Sequence, residues 1–232
     1  MSMPFYVSPE QVMQDKAEYA RKGIARGKSS ITLEYAGGVL LVAENPSTLS
    51  KIGEIYDRIA FAGVGKFSEF DQLRKVGVRY ADVKGYSYSR DDVRARALAN
   101  AYSQAMGDVF TRELKPLEVE IIVVEVGDPT LLGHETNAIY RVTFDGSISD
   151  HDGYCVIGGA AEDMNSFLAA EYRREMPLGE VLRLGRRALS RATDGSNLIS
   201  PDNLEVCSLD RTRSGRKFLR LSTDMVKEYL GA

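Results

Sequence analysis

Residues 8–27 read SPEQVMQDKAEYARKGIARG. Ser8 stands where a helix N-cap belongs, and Pro9 takes the first helical position, where a missing N–H costs nothing. Gln11, three residues past the cap, completes the pattern of a capping box. Val12, Met13, Ala17, Ala20 and Ile24 then recur at helical spacing. The acids Glu10, Asp15 and Glu18 precede the bases Arg21 and Lys22, as the helix dipole prefers, and Gly23 offers a stop. A helix over 9–23 is therefore expected in front of the first strand. Ahead of it, Met1, Ser2, Met3, Pro4, Phe5, Tyr6 and Val7 carry no charged side chain and no helical signal.

Working outward, residues 30–35 and 39–44 flank Ala36-Gly37-Gly38 and read as a hairpin. A third strand is expected over 55–62, broken by Gly63-Val64-Gly65. A helix follows over 66–81, with Phe67, Phe70 and Leu73 on its apolar side. Ser89-x-x-Asp92 opens a longer helix, striped by Val93, Ala97, Ala101, Tyr102, Ala105 and Val109, which has ended by Pro116. Strands resume at 119–126, 138–145 and 154–158. The run VEIIVVEV is apolar on both faces, as in a sheet covered on both sides. Met164, Phe167, Leu168 and Tyr172 mark a further helix. Pro177 opens another, striped by Leu178, Val181, Leu182, Ala188, Leu189 and Ala192. A turn-rich stretch over 194–203 precedes strands at 204–209 and 217–221, and a terminal helix starts near Ser222. Strands in groups alternating with helices in pairs do not make a doubly wound sheet. Two packed antiparallel sheets with helices on both outer faces would bury these stripes, in one domain over 1–232.

The composition excludes several function classes. Of 232 residues, 44% are hydrophobic and 27% charged, ordinary globular values, so a substantial core is expected. A net charge of −3 gives no reason to expect nucleic acid or an anionic membrane as partner. No apolar run reaches a transmembrane length, and the start lacks a signal pattern, so a cytoplasmic protein is expected. Cys155 and Cys207 sit in apolar runs and read as buried core residues. His134 and His151 lie in connections without a Cys or His at ligand spacing, so no metal is expected. The Arg183, Arg186, Arg187, Arg191 cluster reads as a solvated helix face or a subunit contact.

Enzymatic signatures fail in turn. Gly37-Gly38 lacks dinucleotide-loop spacing. Gly27-Lys28-Ser29 mimics a phosphate loop, yet it has no upstream glycine at the required distance and leads into a strand. No nucleophile elbow exists, and two loop histidines make a Ser-His-acid triad poor value. Asp91-Asp92 and Glu162-Asp163 stand at helix starts, where capping explains them.

A resemblance supplies what motifs do not. Ser8-Pro9, Glu18-Tyr19-Ala20-Arg21 and Arg26-Gly27 resemble the N-terminal signature of proteasome α subunits. So do Gly38-Val39-Leu40-Leu41, Lys51-Ile52, Gly65, Lys115-Pro116, Asp145-Gly146-Ser147, Ile157-Gly158-Gly159, Glu171-Tyr172-Arg173, Pro177 and Ala188-Leu189, in order along most of the chain. The form Arg21-Lys22-Gly23-Ile24-Ala25-Arg26 looks actinobacterial. Glu-Tyr-Ala arrives one residue later than in archaeal and eukaryotic relatives. The tail also lacks their Tyr-Asp-Arg, and Leu117-Glu118 replaces the usual glycine after Pro116.

The resemblance implies an α+β, four-layer αββα sandwich, the Ntn-hydrolase fold, and a non-catalytic subunit of a threonine-type endopeptidase complex. Related β subunits use an N-terminal threonine whose own amine is the base. Here a helix and tail occupy that space, so Ser29, Ser30 and Thr32 are expected to be ordinary strand residues. The alternative is an active self-compartmentalising hydrolase of the same fold. The resemblance further implies a gate formed by Met1, Ser2, Met3, Pro4, Phe5, Tyr6, Val7, Ser8 and Pro9. It also implies an activator pocket of Lys51, Gly27, Gly65 and Lys66. Expected partners are β subunits, neighbouring α subunits in a homo-heptameric ring, and the C-terminal tails of an ATPase ring. Unfolded substrates, tagged by a small ubiquitin-like modifier, would pass in transit. No cofactor is implied.

Overall fold

The computed structural model describes residues 8–131, 133–191 and 198–231. Helix α1 (Pro9–Ala25) leads into a hairpin of β1 (Ser30–Tyr35) and β2 (Gly38–Glu44), then a second hairpin of β3 (Ile52–Tyr56) and β4 (Ile59–Gly65). Helices α2 (Phe67–Ser87) and α3 (Ala95–Arg112) follow. Next come β5 (Val119–Glu125), β6 (Ala138–Val142), β7 (Ile148–His151) and β8 (Tyr154–Ile157), then α4 (Ala161–Glu171) and α5 (Leu178–Ser190). Strands β9 (Leu204–Asp210) and β10 (Phe218–Arg220) and helix α6 (Thr223–Leu230) finish the fold.

Two five-stranded sheets result, ordered β10-β9-β2-β1-β8 and β3-β4-β5-β6-β7. Every strand pair is antiparallel. Three apolar clusters show the layering. Ile31, Leu33, Leu40 and Val42 face α4, α5 and α6 through Leu168, Val181, Leu182, Leu189 and Val226. Phe61, Ile121 and Val123 face α2 and α3 through Phe70, Leu98, Tyr102 and Met106. Val39, Leu41, Ala62, Val64, Ile122 and Ile157 fill the space between the sheets. Alternate residues of one strand thus feed opposite faces, as the period of two requires. This is the four-layer αββα sandwich, and Cys155 and Cys207 lie buried inside it. Burial pushes both thiols up to about 12, so neither is a nucleophile at neutral pH.

Helix α1 stands apart from both helical layers. Its Ala20 and Ile24 drop into the cluster between the sheets, with Ala17 packed beside them. Val12 and Met13, expected on the buried stripe, are 38% and 37% exposed because this end of the helix projects beyond the body. Gly23 does not end α1, which runs to Ala25. A Cβ at Gly23 would stand 2.3 Å from a Glu118 carboxylate oxygen, so this glycine serves close approach. Ser8 Oγ accepts the Gln11 N–H at 3.2 Å, but the Gln11 side chain turns to Asp15 instead of closing the capping box.

Other expectations shift too. The single strand over 55–62 is a hairpin turning at Asp57-Arg58. Helix α2 runs six residues past Ala81, to Ser87. Ser89 caps a short 3-10 turn, and α3 starts only at Ala95. The strand expected over 138–145 ends at Val142, and an unforeseen strand, β7, follows at Ile148–His151. His134 lies in a connection but is 5% exposed, its Nδ1 2.7 Å from Glu125 Oε1. Arg183 and Arg186 bind the carbonyls of Tyr229 and Ile199, while Arg187 and Arg191 lie over the Phe167 ring. Ala192 and residues 194–197 of the turn-rich stretch lie outside the described residues.

Candidate functional site

An N-terminal nucleophile would need an open approach to the start of β1, and α1 closes it. Ser29, Ser30 and Thr32 are 5%, 0% and 0% exposed. Gly159 packs so tightly on α1 that a Cβ there would stand 3.0 Å from the Ala25 Cα. A Cβ at Gly158 would meet Ser29 Oγ at 2.6 Å. The Ser30 and Thr32 hydroxyls have no hydrogen-bond partner among the described residues, so no base touches them. Glu120, the buried acid at this end of the sandwich, pairs with Arg141 and accepts the Gly158 N–H. Burial raises its pKa against the pull of Arg141. The start of β1 is therefore buried, while beside α1 a cleft of about 540 Å³ stays open, lined by Glu120, Arg141, Gly158 and Gly159 among others.

At the rim, the four proposed pocket residues meet unequally. Gly27 and Gly65 touch through their backbones: a Cβ at Gly27 would stand 2.8 Å from the Gly65 nitrogen. Gly65 has φ +109, and a Cβ on it would fall 2.0 Å from the Glu118 carbonyl oxygen. Only glycine meets both demands. Lys51 reaches the residue after Gly27, its ammonium donating to the carbonyl of Lys28 at 2.5 Å. Lys28 itself pairs with Glu44 at 2.9 Å. Lys66 adjoins through its backbone only, donating its N–H to Glu118 at 2.9 Å. Its ammonium turns to Glu69 Oε1 at 3.2 Å, a carboxylate that Lys115 also holds. Gly27 and Gly65 thus touch, Lys51 bonds to the neighbouring Lys28, and the Lys66 charge is directed elsewhere.

Burial lowers the Lys51 pKa to about 8, with Glu205 and Glu44 opposing. One of its three donors serves Lys28, which leaves others for an incoming acceptor. The residue that fixes Lys51 escaped the sequence reading. Glu205 of β9, 9% exposed, accepts the Lys51 N–H at 2.8 Å, the Ile52 N–H at 3.1 Å and the Asn45 side chain at 2.7 Å. Arg220 of β10 clamps the other side, donating to Glu205 at 2.5 Å and to the Ile52 carbonyl at 2.6 Å. Glu205 is the second residue of the run LEVCSL, and an acid inside an otherwise apolar run is the signal that marks it.

The gate residues Met1, Ser2, Met3, Pro4, Phe5, Tyr6 and Val7 lie outside the described residues. Ser8 and Pro9 are described, and Ser8 is extended, with φ −66 and ψ 148, at the exposed head of α1.

An αββα sandwich whose open end is filled by an added N-terminal helix defines a non-catalytic branch of the Ntn-hydrolase architecture. The proteasome subunit family model matches residues 24–209, and the chain belongs to that family. It is 52% identical to the proteasome subunit alpha of Acidothermus cellulolyticus, over 99% of this chain and 98% of that protein. Identity to the proteasome subunit alpha of Kineococcus radiotolerans is 54%, over 96% and 95%. For that of Sanguibacter keddieii it is 53%, over 100% and 91%.

Proposed function

We propose that this chain is the non-catalytic, ring-forming α subunit of a 20S proteasome core, controlling the passage of unfolded protein toward β subunits that cut it. One observation carries the reading: α1 packs Ala20 and Ile24 into the mouth between the sheets and leaves Ser30 and Thr32 sealed, without a base. The near-full-length likeness to proteins named proteasome subunit alpha supports it. On this reading seven copies form a cytoplasmic ring on a β ring. Residues 1–7 meet near the axis as an apolar plug, and Ser8 and Pro9 set the direction in which each tail leaves its helix. Lys51, with Gly27 and Gly65, receives the C-terminal carboxylate of an ATPase ring subunit, and Lys66 lies at the edge of that pocket. A charge-assisted bond contributes roughly 1.5–3 kcal/mol. One tail therefore binds weakly, and several on one ring bind well through effective concentration. Substrates carry a small ubiquitin-like tag.

The test is peptide hydrolysis by assembled α/β particles with and without residues 1–7. Deletion should raise the rate severalfold, and an unchanged rate would remove the gate. Hydrolysis by purified rings of this chain alone would overturn the non-catalytic reading.

A further inference from the structure

Glu205 puts a charge into a strand where charge is costly, between the partly buried Leu204 and the fully buried Val206. Taking a carboxylate out of water is tolerated only where donors match its oxygens. Here they do, and the donors share an address. Oε2 accepts the Asn45 side chain and the Lys51 N–H, while Oε1 accepts the Ile52 N–H and the Arg220 guanidinium. All but Arg220 belong to residues 45–52, the connection that crosses from β2 in one sheet to β3 in the other. The Gly63 N–H holds the Lys51 carbonyl at 3.1 Å, so the Lys51 backbone is pinned on both sides. From that fixed point the side chain runs to the Lys28 carbonyl.

We infer that Glu205 is the positioning residue of the Lys51 site, anchoring the backbone from which that side chain springs and steadying its ammonium by charge. This rests on the reading of Lys51 as the acceptor of a carboxylate. The charged groups that face the ammonium are few. Burial works against its charge, Glu205 and then Glu44 support it, and Lys28 opposes it. Glu205 is thus the stronger of the two supports, and the only one that also bonds to the Lys51 backbone. Arg220 completes the device. It pairs with Oε1 and reaches on to the Ile52 carbonyl at 2.6 Å, so the buried acid is neutralised and does not repel an arriving anion.

Labelling of Lys51 in the assembled particle tests it without any activator. Trace acetic anhydride acylates only the neutral amine, so the yield on Lys51 against pH, read by mass spectrometry, gives the midpoint of its titration. Glu205→Gln keeps the shape and removes the charge, and should lower that midpoint by about one unit. Arg220→Gln removes a cation and unmasks Glu205, and should raise it. A merely structural clamp would move both variants the same way or neither, and either result overturns the proposal. Arg220 keeps 42% of its side chain exposed, so its variant decides the matter alone if Glu205→Gln does not assemble. An unmoved or lowered midpoint there overturns it. The second measurement is the affinity of a short peptide ending in a free carboxylate, against the same peptide as its C-terminal amide. Wild-type particles should prefer the acid, and Glu205→Gln should lose about fivefold of that affinity at pH 8 and far less at pH 6. No preference for the acid would remove Lys51 as a carboxylate acceptor, with the labelling still deciding for or against Glu205.

Discussion

Lys51 carries a charge that its surroundings resist. The side chain is half-buried, and burial brings its pKa from 10.5 down to about 8. Below about pH 8 the ammonium is present and a carboxylate pairs with it directly. Above that, the folded protein holds a neutral amine, and pairing requires proton uptake. Affinity for a carboxylate-ended activator peptide should stay flat below pH 7 and fall by up to about tenfold per pH unit above 8. Lys51→Arg should remove the pH dependence, since guanidinium stays charged. Fluorescence anisotropy from pH 6.5 to 9.5 reads both, and a fall shared by the Arg variant would dissociate Lys51 from carboxylate binding. The effect on folding has the opposite sign. Between about pH 8 and 10.5 the unfolded chain binds the extra proton, so this group adds stability as pH rises through that window. The resemblance singled out Lys51, Gly27 and Gly65 but not Glu205, because its partners Asn45, Lys51 and Ile52 lie 153 to 160 residues away and no local spacing encodes them.

Helix α1 was the most legible element, since its start is written in adjacent residues. Ser8→Ala removes the one side-chain cap of that start and should destabilise it by about 1 kcal/mol. Amide exchange at Gln11 and Val12 should then quicken by about fivefold. No change there would mean that packing alone holds the helix. The second hairpin was hidden for a physical reason. Its turn, Asp57-Arg58, contains no glycine or proline and is stabilised from afar. Arg90 grips the Asp57 carboxylate at 2.6 and 2.9 Å, and Arg58 is buried beside Glu125. Strand β7 has a mostly exposed burial pattern, so no alternation announced it. The far end of α2 escaped for the same reason: Val83 and Tyr86 are 60% and 94% exposed, and the buried stripe stops at Ala81.

At the scale of the whole molecule, the hydroxyls at the start of β1 belong to the buried interior. Thr32 offers a direct measure. Its hydroxyl is buried with no partner among the described residues, a state that costs on the order of 1 kcal/mol or more. Thr32→Val should therefore raise stability by about 1 kcal/mol, or about 2–4 °C in Tm by calorimetry. A lower Tm would show that the hydroxyl is in use. The seating of α1 has one more consequence. Suppose a protease cut the chain after Arg26. The lost segment would take Ala20 and Ile24 with it, baring apolar surface of β4 and β5 where α1 packs, and Thr32 would still have no base beside it. Trimming would yield a sticky fragment fit for disposal, so this chain offers no zymogen to awaken.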